Sequence, residues 1–153
     1  MNEPLIETWE INNRINLYLL EAVAPERLPA VSASKGRTAG AQFAHLHNVR
    51  LMWLKVAAPD LWAGLTKIEK TETHDKDLLR ESLQASGAAM SELLRRGLEK
   101  GKIKDFKPHP AVFLGYVVAH EAHHRGQIIL TLKQNGTPLD KKTAYGIWEW
   151  GVR

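Results

Sequence analysis

The chain has 153 residues, 44% of them hydrophobic and 25% charged, with no cysteine and a formal net charge of +4. That length suits one domain, residues 1–153, able to withdraw roughly two thirds of its surface from water, and the balance is that of a globular chain, not a disordered one. Without cysteine there is no disulfide framework, thiolate zinc site or cysteine nucleophile, so any metal must sit on nitrogen or oxygen.

The opening MNEPLIETWE lacks a basic region followed by an apolar run, and no segment reaches the roughly 20 apolar residues that span a bilayer. A cytoplasmic location and no membrane partner are expected. From Leu5 to Val23, Ile6, Trp9, Ile15, Leu19 and Leu20 recur at three- and four-residue steps, which predicts a helix that Pro25 stops. A second helix is predicted from the N-cap Thr38 to Pro59; it is apolar on more than one side, as interior bundle helices are. DLWAGLTKIEKTETH reads as a short helical turn and a loop.

Asp75 opens a third helix with the apolar stripe Leu78, Leu79, Leu83, Met90, Leu93 and Leu94, and Gly101 ends it. The basic residues are interspersed with acids, and their densest run, EKGKIKDFK, reads as a solvated connection, so nucleic acid is not an expected partner. Pro110 suits the first position of a fourth helix, which continues to Asn135-Gly136. A tail from Gly136 carries Trp148 and Trp150, which suggest packing on the bundle or on a second subunit. Four long helices with moderate loops predict an all-α four-helix bundle, an architecture that builds metal sites from side chains on facing helices.

In HEAHHRGQI, His120 and His124 lie about 40° apart around a helix, while His123 lies about 60° to the other side. Phe113, Tyr116, Val117 and Gln127 fall on the side of the pair, which predicts that it faces the bundle interior. Burying two unpaired imidazoles is costly, whereas a metal ion uses the lone pair of each. A third ligand is expected from FAHLHNVRLMWL on the second helix, where His45 and His47 both lie on apolar faces. Periodicity does not choose between them.

The pairing of AHLHNVRLMWL, with His45 ahead of Trp53-Leu54, and HEAHHRGQI far downstream resembles the DinB and YfiT-like superfamily of metal-binding four-helix bundles. The resemblance runs over essentially the whole chain. It implies that His45, His120 and His124 ligate a divalent metal, zinc or nickel, with His47 displaced from the site and His123 a hydrogen-bonding neighbour. It also implies a homodimer and a metal-dependent enzyme: members include S-transferases that use small thiols, bacillithiol or mycothiol, and others have no assigned reaction.

His120-Glu-x-x-His124 is also the zinc-protease signature, which a later histidine or glutamate completes; no histidine follows, the later acids are only Asp140 and Glu149, of which Glu149 could serve, and no strand is available to align a peptide. Glu121, about 100° from His120, can approach a shared ion only from the side and reads better as a supporting or interhelical partner. Gln127, Tyr116 and Asn48 are the other candidates for orienting ligands or water. Arg125 points away from the ligand direction, toward a salt bridge between helices or subunits. A hydrolase, a thiol transferase and a non-catalytic metal-binding or interaction module all stay open, since each needs the same three histidines.

Overall fold

The computed structural model describes all residues from Met1 to Arg153. Four long helices carry it: α1 (Glu3–Glu21), α2 (Ala39–Ala57), α4 (Lys76–Lys100) and α5 (Pro110–Gln134), with the single turn α3 (Pro59–Trp62) after α2 and α6 (Lys141–Gly146) in the tail. The expected end signals operate. Thr38 Oγ1 accepts from the Ala41 N–H and the Asp75 side chain from the Leu78 N–H, while Gly101 takes the left-handed conformation (φ 72°) that lets α4 stop. Ahead of Pro110, the His109 imidazole caps α5 by accepting from the Ala111 N–H at 3.1 Å.

α1 and α2 occupy opposite corners, each flanked by α4 and α5. The apolar core is in two parts. One gathers Leu19, Leu20, Phe43, Leu46, Leu83 and Ile128 among others; the second gathers Ile6, Trp9, Leu54, Met90, Leu94 and Phe113. Between them on each of the four long helices lies a buried polar group: Asn12 and Asn16 on α1, Arg50 on α2, Ser86 on α4, Glu121 and Arg125 on α5.

This layer is closed by its own bonds. Arg50 Nε and Nη2 each donate to Glu121 at 2.7 Å, Asn12 and Asn16 donate to Glu121 Oε1, and Arg125 Nη1 donates to both asparagine Oδ1 atoms. Arg50 Nη1 also reaches the Leu83 carbonyl and Ser86 Oγ. Burial raises the Glu121 pKa, but Arg50 and the two amides outweigh it, and the carboxyl stays below its ordinary range. Arg125 therefore bonds to α1 of its own chain through asparagines, where a salt bridge was expected.

The tail packs on α1. Gly146 and Ile147 are buried, Gly146 lies against Tyr18, and the Arg153 guanidinium stacks 4.0 Å from the Tyr18 ring. Trp148 does not fasten it, being 81% exposed, while Trp150 is half-buried. No helix is long and apolar enough to cross a membrane.

Candidate metal centre

Where α2 passes α5, His45, His120 and His124 come together, with one ligand-capable atom from each lying within 4.8 Å of the others. Their rings meet edge to face, with centroids 4.5 Å apart for His45–His124, 4.7 Å for His120–His124 and 5.4 Å for His45–His120. The one-turn spacing on α5 supplies two members, and the α2–α5 packing brings the third. His124 is buried, while His45 and His120 are partly open. The cluster thus sits at the edge of the bundle, with His124 on the inner side and His45 and His120 toward the opening, and Tyr116, expected on an inward face, is 49% exposed.

All three imidazoles are held neutral. Burial, then the Arg37 guanidinium and His120, push His45 down to about 4. Burial, then His45 and His120, push His124 to about 4 as well, and burial lowers His120 although Glu121 acts in the opposite direction. At neutral pH their lone pairs are free for a cation.

His124 is oriented by a residue the sequence reading missed. Its Nδ1–H donates to Gln42 Oε1 at 2.5 Å, which leaves Nε2 as the free ligand atom. Gln42 Nε2 donates to Gln127 Oε1 at 2.8 Å, and Gln127 Nε2 donates to His123 Nε2 at 3.0 Å. Gln127 therefore reaches the cluster through Gln42, while the His123 ring also lies directly against His124, centroids 5.0 Å apart. The available signal was position: Gln42 precedes His45 by one helical turn on the same helix.

The remaining candidates lie elsewhere. His47 is buried on another face of α2, its Nε2 2.8 Å from the Thr66 carbonyl oxygen. Asn48 spends its amide on Ile68, donating to the carbonyl and accepting from the N–H, both at 3.0 Å, which pins the segment after α3 along α2. Tyr116 makes no hydrogen bond to the cluster and packs with Trp53, Phe106 and Phe113. Glu121 is taken up by the polar layer on the buried side, where its contact with Arg50 ties α2 to α5 immediately behind the cluster.

Among known protein families, residues 1–146 match the DinB family. The chain belongs to the DinB family. No curated protein and no solved structure matches it. Family membership and a three-histidine cluster fit a DinB-like metal-binding protein. The donor set also fits a divalent cation on its own chemistry, being three neutral nitrogens with one ring already fixed from behind.

Proposed function

We propose that this DinB-family chain is a metal-dependent enzyme acting on a small molecule, with His45, His120 and His124 holding one divalent ion, zinc or nickel, and with a small-thiol S-transferase or a hydrolase as its reaction class. The observation that carries the reading is the convergence of three neutral imidazoles from two helices at a partly open site. Bound there, a divalent ion supplies Lewis acidity that favours the deprotonated form of a water or a thiol. Since the chain has no cysteine, a thiol would come from outside.

The chain's own contribution is positioning. Gln42 holds the His124 ring through Nδ1, and Arg50 with Glu121 fixes α2 against α5 behind the ligands. Trp53 on α2 packs with Phe113 and Tyr116 on α5 and with Phe106 from the loop before α5, forming an aromatic group between the same two helices. A zinc-protease role for Glu121 is disfavoured, because both carboxylate oxygens are occupied by donors from α1 and α2 and the side chain is 2% exposed.

One observation favours a second reading, a metal-binding bundle that catalyses nothing: the one side chain that hydrogen-bonds to the three histidines is the amide of Gln42, with no carboxylate or hydroxyl bonded to them. Zinc- and nickel-loaded protein, incubated with small thiols plus alkylating electrophiles and with ester and amide substrates, separates the two. Turnover that His45→Ala abolishes supports the enzyme. Metal-loaded protein inert across the panel supports the binding module.

A further inference from the structure

His45 is also part of the wall of a cavity of about 740 Å³ between the N-terminal half of α2 and the segment that follows α3. That volume is in the range of small-molecule sites. Its charged lining is unbalanced: Arg37, Lys67 and Lys70 face a single carboxylate, Glu69. Glu69 is already engaged, lying 3.7 Å from Lys67 and capping the turn at Lys70–Glu72. Arg37 and Lys70 form no ion pair within the protein.

Arg37 is placed there by a built turn. Lys35 and Gly36 both adopt positive φ, 67° and 97°, and reverse the chain so that Val31 and Thr38 pair as an antiparallel bridge. The Val31 carbonyl accepts from Asn135 Nδ2 at 2.8 Å and the Ala33 N–H donates to Gln134 Oε1 at 2.7 Å, which moors the turn to the end of α5. The first turn of α2 offers no competing anion site, since the Ala39, Gly40 and Ala41 N–H groups are bonded to Ala30, Leu28 and Thr38.

We infer that Arg37 and Lys70 form an anion-recognition subsite beside the three-histidine cluster, and that the ligand is a small molecule with a metal-binding donor at one end and a carboxylate or phosphate at the other. This names the substrate class of the function proposed above and rests on it. A guanidinium and an ammonium without ion-pair partners, both lining a cavity that reaches a metal ligand, match such a ligand in charge.

Cobalt(II)-loaded wild type and Arg37→Ala, titrated with 3-mercaptopropionate and with 2-mercaptoethanol, report thiolate binding through the sulfur-to-cobalt absorption band. Comparing the ratio of the two Kd values between proteins cancels the difference in thiol acidity. The preference for the anionic thiol should fall about fivefold in Arg37→Ala, and by a smaller factor in Lys70→Ala, with cobalt content unchanged. An unchanged ratio overturns the subsite.

Failure of wild type to bind cobalt would instead sink the metal reading. In that event metal-free protein, titrated with inorganic phosphate and separately with succinate, decides the subsite by amide chemical shifts. Saturable shifts at Arg37 and Lys70 that vanish in Arg37→Ala support it, and the tighter of the two anions names the group. Absence of saturation with either anion refutes it.

Discussion

Replacing Glu121 by Gln keeps the shape of the side chain and removes the only carboxylate of the buried layer. Two guanidiniums then remain, on Arg50 at 1% exposure and Arg125 at 6%, with no counter-charge. The new amide also sets an N–H donor against one of the two Arg50 donors that now meet the carboxylate at 2.7 Å. Leaving a buried charge unpaired costs about 3–5 kcal/mol. Against the roughly 5–15 kcal/mol that holds an ordinary domain together, that is a large part of the total. For a chain of this length it corresponds to a fall in Tm of about 10–15 °C. Arg50→Met should cost less, because Glu121 keeps the Asn12 and Asn16 amides and the cation of Arg125. In the double variant the two losses should add to less than their sum. Thermal and urea unfolding of the metal-free proteins reads all three. A loss below about 1 kcal/mol for Glu121→Gln would mean that the layer is hydrated and does not hold α1, α2 and α5 in register.

Gln42→Ala frees the His124 ring and should weaken zinc binding about 10- to 100-fold in a chelator competition, with helical content unchanged; equal affinity would remove Gln42 from the site. In the metal-free protein His45 and His124 titrate at about 4 against an ordinary 6.5, so below pH 6.5 the unfolded chain binds more protons than the folded one. Stability should therefore be level above pH 6.5 and fall as pH drops from 6.5 through 4, and a flat Tm across that window would contradict the buried neutral cluster. Gly40→Ala places a methyl against the Thr73 backbone carbonyl, which cannot rotate away. It should cost about 1–3 kcal/mol in urea unfolding by prising the segment after α3 from α2, and an unchanged midpoint would show that segment to be loosely held.

The four helices were legible because their ends carry strong local chemistry, in Thr38, Asp75, Pro110 and Gly101. The choice between His45 and His47 was not, for a physical reason. α2 and α5 carry apolar residues all round, and Met52, Val56, Val112 and Leu130 lie exposed, so periodicity does not mark the inward face. The same ambiguity made the His120–His124 side look internal. The buried side of α5 takes in Phe113, Val117 and His124 as expected, but it is centred on Glu121, Arg125, Ile128 and Leu132 and leaves His120 and Tyr116 at its edge. The polar layer left a readable trace: Asn12 and Asn16 sit one turn apart between Trp9 and Leu19, Arg50 lies midway between Leu46 and Leu54, and Glu121 precedes Arg125 by four. Each interrupts an apolar stripe at the same level of the bundle. Single-helix reading cannot show that these interruptions meet, because partner choice is set by tertiary packing.

Metal content of purified wild type beside His45→Ala, His47→Ala, His120→Ala and His124→Ala, by plasma mass spectrometry after loading with zinc or nickel, tests the three-histidine centre most directly. The expected result is near one ion per chain in wild type and in His47→Ala. The other three variants should lose it. Wild type without metal after loading, or full occupancy in the His45, His120 and His124 variants, would contradict a metal centre at this cluster.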